Sequence, residues 1–171
     1  MSSRNSLLLC LTLLCFSPLV LALPDDAKQS IHIEADQVDI DDRSGVSAYS
    51  GNVRLTQGSI RLQADSIVVH TENRVLVRVI ANGQPASFRQ KPQIDKDDVT
   101  ASALQLEYLA RDGKLVLSRQ ASLTQGPNQF SGNRIVYDLL QNYVRAERDQ
   151  QSSERVQVVI QPSALEEQKS P

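Results

Sequence analysis

Apolar and polar residues alternate with a period of two along most of the chain after residue 30. Ile31-His32-Ile33-Glu34-Ala35 sets the pattern, Val38 and Ile40 continue it, and Ile60, Leu62 and Ala64 alternate with Arg61 and Gln63. That period puts successive side chains on opposite faces of an extended backbone, so each run predicts a half-buried β-strand. Polar clusters punctuate the runs: Asp41-Asp42-Arg43-Ser44-Gly45, Gln57-Gly58-Ser59, Asn82-Gly83-Gln84-Pro85 and Arg111-Asp112-Gly113-Lys114 read as turns. Val46 to Tyr49 and Val53 to Thr56 read as short strands broken at Ser50-Gly51-Asn52. Val75 to Ala81 reads as another, and Val156, Val158 and Ile160 as the last. No window carries a sustained apolar stripe at 3.6-residue spacing. The expected fold is all-β, with about 14–16 short antiparallel strands.

The pattern is stated twice. Residues 45–79 fall on 113–147 at a constant offset of 68 without a gap. Leu55-Thr56-Gln57-Gly58 lands on Leu123-Thr124-Gln125-Gly126, and Ile67-Val68 lands on Ile135-Val136. Internal repetition at one fixed offset points to a repeated supersecondary unit. Both copies also change apolar parity at the same place. Ile60, Leu62 and Ala64 give way to Ile67 and Val69, and Phe130 and Gly132 give way to Ile135 and Tyr137. A strand cannot change faces without a bulge or a corner. Asp65 and Gly132-Asn133, types that tolerate left-handed backbone, sit at the switch, which predicts a corner between two facing sheets, as in a roll or sandwich.

Residues 1–22 interrupt this picture. A short segment carrying Arg4 precedes an apolar run from Leu7 to Val20, and Val20-Leu21-Ala22 forms a small-x-small cleavage pattern. The run is short for a spanning helix, so 1–22 reads as an export signal that is removed. Taking 22 residues from 171 leaves 149, expected to hold one domain over 23–161 and a polar tail over 162–171. Cys10 and Cys15 leave with the signal, so disulfides, thiolate-zinc sites and thiol catalysis are excluded from the mature chain. Arg4 leaves too, so 18 basic residues become 17 against 20 acidic ones, with both signs mixed. That balance excludes bulk phosphate neutralisation and argues against nucleic-acid binding.

Candidate chemistry is sparse. His32 and His70 fall opposite the apolar parity of their strands, as solvent-facing residues do, and no second ligand type stands at metal spacing. Asp95, Asp97 and Asp98 lack the ligand order and glycine of a calcium loop. No nucleophile elbow or phosphate loop is present. Neither a cofactor nor catalysis is expected. What the strands do offer is an aliphatic face that includes Ile31, Ile33, Leu55, Ile60, Leu62, Leu104, Leu106, Leu115 and Leu117. Two readings of that face stand open: the closed core of a monomeric β-sandwich carrier or structural protein, or the inside of sheets that do not fully close and hold a lipid.

Motifs spread over nearly the whole mature segment carry a resemblance. They are Leu23-Pro24-Asp25-Asp26, Ile31-His32-Ile33-Glu34-Ala35-Asp36, Gly51-Asn52-Val53, Thr56-Gln57-Gly58 and Gly83-x-Pro85-Ala86-x-Phe88. Tyr108, Gly132-x-x-Ile135-x-Tyr137 and Val158-x-Ile160-x-Pro162-Ser163 follow in order. On these residues the chain resembles the OstA-like family, the LptA-type periplasmic lipopolysaccharide-transport proteins. The resemblance implies an open, twisted β-jellyroll of V-like section that binds lipid A acyl chains inside. It also implies a periplasmic location, end-to-end homo-oligomers, an LptC-type inner-membrane partner and an LptD-type outer-membrane partner. Carried onto this chain, it makes Ile31, Ile33 and Glu34 lipid contacts at the N-terminal end and Phe88 one deeper in. Leu55, Leu62, Leu106, Leu117 and Phe130 join them as aliphatic and aromatic residues of the inner face.

Overall fold

A computed structural model of the chain describes residues 26–92, 96–148 and 155–161. The expected signal segment and the polar tail lie outside the described residues, as does part of the loop between Gln90 and Asp98. A 3-10 turn, Asp26–Lys28, precedes ten strands: β1 (Ile31–Glu34), β2 (Gln37–Asp41), β3 (Val46–Gln57), β4 (Ile60–Glu72), β5 (Val75–Gln90), β6 (Val99–Leu109), β7 (Lys114–Gln125), β8 (Asn128–Asp138), β9 (Tyr143–Glu147) and β10 (Gln157–Val159). All pair antiparallel in one sheet, with β3 to β8 side by side in chain order. β1 and β2 share β3 along one edge, and β9 and β10 share β8 along the other. Among the described residues the sheet does not close on itself.

Ten strands replace the about 14–16 expected, because several breaks read as strand ends are bulges inside longer strands. Ser50-Gly51-Asn52 lies within β3, and Asn82 to Pro85 is a bulge within β5 that contains a cis Gln84–Pro85 bond, not a turn. One break was real. Ala35-Asp36 separates β1 from β2, and there the Asp36 N–H donates to the Ser50 and Gly51 carbonyls, both at 3.1 Å.

The bulges line up. Register shifts fall between Ser50 and Val53, Gln63 and Ser66, Asn82 and Ala86, Ser102 and Gln105, and Ser118 and Ala121. Each is the neighbour of the next, so together they draw a crease across the sheet. The crease divides it into two arms. One ends in the Gly58 and Gly126 turns and is edged by β1 and β10; the other ends in the Gly45 and Gly113 turns and is edged by β2 and β9. The buried side of β4 passes from Ile60, Leu62 and Ala64 to Ile67 and Val69 across the crease, as the parity switch anticipates. The left-handed residues are not those expected, however. They sit on the partner strands, Gly51-Asn52 in β3 and Arg119-Gln120 in β7, and not at Asp65, Gly132 or Asn133. These pairs are themselves 68 residues apart, so the repeat is a repeated creased hairpin, β3–β4 and β7–β8.

Leu104 is only half-buried. Ala101 and Ala103 hold the inner positions before the crease of β6, and Leu106 holds the one after it. The core runs along the inside of the crease, with Val53, Ile67, Leu106, Leu117, Leu123 and Ile135 almost fully buried. Each contributes about 1.5–3 kcal/mol of burial. The start of the described chain is fastened to this frame by Asp26. Its carboxylate accepts from the Ser59 N–H at 2.6 Å, the Ser59 hydroxyl at 2.7 Å and the Gln90 amide at 3.0 Å, tying the leader to the tip of the Gly58 arm.

Candidate functional site: an apolar cleft between two arms

The crease brings opposite ends of the strands face to face. From the Gly58 arm, Ile31, Leu55, Ile60, Leu62 and Phe88 line an apolar cleft. From the Gly113 arm come Leu76, Val79, Leu106, Tyr108 and Leu115. Gln57 is the remaining lining residue, and its amide donates to the Gln29 carbonyl at 3.2 Å, so its polar end is engaged by the leader. The wall is therefore aliphatic and aromatic, with no charged side chain in it. Among the described residues there is no group of three or more His, Cys, Asp or Glu side chains placed to hold a metal. This is a surface for hydrocarbon.

The expected contacts divide. Ile31, Leu55, Leu62, Phe88 and Leu106 come together on the cleft wall. Ile31 remains 38% exposed at its mouth, whereas Leu55, Leu62, Phe88 and Leu106 also belong to the core. Leu117 is fully buried in the core and does not line the cleft. Ile33 and Phe130 pack against the core from its margins without reaching the cleft wall. Glu34 is exposed beside Arg54 on the opposite face, because it follows Ile33 in an alternating strand. Tyr108 follows Leu106 on the same face, whereas Leu76 and Val79 carry no such signal in the alternation. A second register shift, between His70 and Thr71, breaks the alternation at the start of β5 and turns both Leu76 and Val79 inward.

The cleft changes character toward β8. Leu115 on the cleft wall pairs with Tyr137, which is almost fully buried. The Tyr137 hydroxyl donates to Asn142 Oδ1 at 3.1 Å, and the Gln125 amide donates to the same oxygen from the tip of the other arm. An Asx turn sets Asn142 in place, with the Leu140 and Gln141 N–H groups donating to Asp138 Oδ1 at 3.1 and 2.9 Å. Burial raises the Tyr137 pKa above its ordinary value, and the nearby Asp138 charge adds to the rise.

With that geometry described, comparison with known proteins decides the family. The model of the LptA/(LptD N-terminal domain) LPS transport protein family matches residues 32–143. The chain belongs to that family. The lipopolysaccharide export system protein LptH of Pseudomonas aeruginosa is 37% identical over 152 residues, covering 85% of this chain and 87% of its own. LptA of Escherichia coli, of the same export system, is 32% identical over 164 residues, covering 95% of this chain and 87% of its own. The crystal structure of Pseudomonas aeruginosa LptH, a periplasmic component of its transport device, superposes with a TM-score of 0.75 at 36% identity. It covers 81% of this chain and 100% of that one. The open, creased antiparallel sheet is thus the fold of the family. The relatives named here are lipopolysaccharide export or transport proteins.

Proposed function

We propose that this protein carries lipopolysaccharide across the periplasm, holding its acyl chains in the cleft between the two arms. One observation carries the reading: the aliphatic cleft lies inside a sheet whose two edges stay open. A closed sandwich would seal its core at both ends. Here β1 and β2 leave one end unpaired, and β9 and β10 leave the other. Exposed apolar residues gather along these edges, with Val38 and Ile40 on one and Tyr143, Val158 and Val159 on the other. An edge of this kind is a template for another strand. Copies of the chain join end to end through it, and the cleft continues from one to the next. An LptC-type inner-membrane partner and an LptD-type outer-membrane partner take the two terminal edges, after residues 1–22 have directed export.

The physical need is plain. Each methylene kept from water is worth roughly 0.8 kcal/mol, so a twelve-carbon chain exposed in an aqueous compartment costs about 9 kcal/mol. A continuous apolar cleft removes that cost without chemistry, so the protein acts as a non-catalytic carrier. The test is Ile31→Asp. Ile31 is part-exposed, so folding stability should change by less than about 1 kcal/mol, while a carboxylate at the mouth should weaken lipopolysaccharide binding by roughly tenfold or more. Unchanged binding in a folded variant would remove the cleft from consideration as the acyl site.

A further inference from the structure

The repeat reaches beyond its two hairpins. β1 meets β3 in the register with which the first half of β6 meets β7: Ile31 stands opposite Gln57, and Val99 opposite Gln125, 68 residues on. β2 matches the second half of β6 in the same way, with Gln37 opposite Ser50 and Gln105 opposite Ser118. At the far edge, β9 and β10 stand on β8 as the two halves of β5 stand on β4. Ile135 meets Ala146 as Ile67 meets Ala81, and Phe130 meets Val158 as Leu62 meets Phe88. The sheet is therefore two like units in a row. Inside the chain they join where β5, the last strand of the first unit, pairs with β6, the first strand of the second.

Each outer edge holds one half of that seam with no strand beside it among the described residues: β1 and β2 the β6 half, β9 and β10 the β5 half. Carried onto the edges, the β5–β6 register sets Val144 and Ala146 of one copy opposite Ile40 and Val38 of another. These take the places where Val79 and Ala81 meet Tyr108 and Leu106 inside the chain. On the other face the internal seam is polar. Gln105 stands opposite Asn82 and donates to its Oδ1 at 3.0 Å, and Glu107, opposite Ile80, pairs with Arg78 at 2.6 Å. The edges carry Glu147 for Asn82, Gln37 for Gln105, Arg145 for Ile80 and Asp39 for Glu107. Both new pairs are complementary, amide donor to carboxylate and cation to anion, the kind of cross-strand pair that stabilises a sheet. Arg145 lies 2.8 Å from Glu147 on its own strand, and the Gln37 amide 3.0 Å from Asp39 on its own, so the four side chains would close into one ladder. Like edges fit worse, since β2 against β2 brings Asp39 and Asp41 of both strands together.

We propose that copies of this chain recognise one another by repeating the internal seam. β9 and β10 of one copy take β2 and β1 of the next in the β5–β6 register, and Arg145 facing Asp39, beside Glu147 facing Gln37, determines that partner and that register. The inference rests on the end-to-end reading above and supplies its residue pairing. A joint of two unlike edges leaves one of each free, so it extends as an open row and does not stop at a pair.

Exchange of the two charges tests it. Asp39 and Arg145 are both exposed, so variants at either should fold and melt as the parent protein does. In sedimentation of the mature protein, Asp39→Arg alone and Arg145→Asp alone should each weaken association about tenfold or more, because each sets like charges face to face. Mixed in equal amounts, the two should associate as the parent does, since alternating copies then pair a cation with an anion at every joint. Cross-linking reads the register directly, because no cysteine follows Cys15. A mixture of Val38→Cys and Ala146→Cys should form disulfide-linked heterodimers under mild oxidation. Ile40→Cys with Ala146→Cys, a diagonal pair roughly 7–8 Å apart, should not. If the parent protein associates at no concentration and neither cysteine pair links, the end-to-end reading falls. If the parent associates but the mixture does not recover, or Ile40→Cys links in place of Val38→Cys, only the shared register falls.

Discussion

Tyr137 joins the two arms through a hydroxyl that must remain protonated. It is almost fully buried, and it donates to the one oxygen that also receives Gln125 from across the cleft. Burial first and Asp138 second raise its pKa above the ordinary 10.0. The consequence for stability has a definite sign. Below pH 10 the proton is held in both folded and unfolded chains, and the group is silent. As pH climbs past the unfolded value, the unfolded chain releases the proton and the folded one retains it, so stability falls with further rise. The slope from this group is at most about 1.4 kcal/mol per pH unit. Urea midpoints between pH 9 and 11 should show the loss. Tyr137→Phe should abolish this part of the slope while costing about 1 kcal/mol at neutral pH for the missing hydrogen bond to Asn142. A variant that keeps the full slope would place the alkaline sensitivity elsewhere.

The two hairpins of the repeat build one crease by the same backbone device and different residues. In β3 the left-handed pair is Gly51-Asn52, and a Cβ at Gly51 would lie 2.2 Å from Asp36 Oδ2. In β7 the pair is Arg119-Gln120, both exposed, where no β1–β2 junction crowds the bulge. Gly51→Ala should therefore cost more than about 2 kcal/mol, from left-handed strain plus displacement of Asp36. Arg119→Gly should raise stability by up to about 1 kcal/mol, since released strain exceeds the added freedom of the unfolded chain. Denaturant midpoints decide both. The same contrast explains what could be read from sequence. Alternation revealed the strands and the parity switches of β4 and β8, because Ile60 to Ala64 and Ile135 to Tyr137 are spaced without ambiguity. Gly51-Asn52 carries the signal of a strand end, and it forms a bulge inside β3. Arg119-Gln120 advertised nothing, since neither residue favours left-handed backbone and the neighbouring strands impose it. Leu76 and Val79 were hidden for a related reason: from Val75 to Ala81 apolar residues occupy nearly every position, and a continuous run carries no parity. On the cleft wall, Ile31, Leu55, Ile60, Leu62 and Leu106 follow the alternation and Phe88 the family resemblance; Leu117 lies in the core and Phe130 packs against it.

At the scale of the whole molecule, the sheet carries an apolar border that the proposed end-to-end joint would cover. Natural sheets blunt their edges with charge, proline or a covering loop. This one leaves Val38 at 51% and Ile40 at 62% exposure on β2, an edge strand exposed along its whole length. Both pair with inner-face positions of β3, Val38 with Tyr49 and Ile40 with Ser47, so they extend the inside of the Gly113 arm to its border and stop there. β9 ends the same arm on the far side with Val144 and Ala146 packed against the core. Set against β2 of a following copy, that border would cover Val38 and Ile40 and prolong the wall without a step. On this reading the exposed aliphatics serve the joint and contribute little to the isolated chain, which separates two measurements that usually move together. Replacing both with lysine should leave the unfolding midpoint of the monomer within about 0.5 kcal/mol, as for surface positions without packing partners. It should also place like charges at the joint and suppress association. Sedimentation over rising concentration should show the parent protein growing into larger species and the double variant remaining a monomer. Growth of the double variant to the same species would exclude β2 from the joint and leave β1, through Ile31 and Ile33, as the edge that neighbours share.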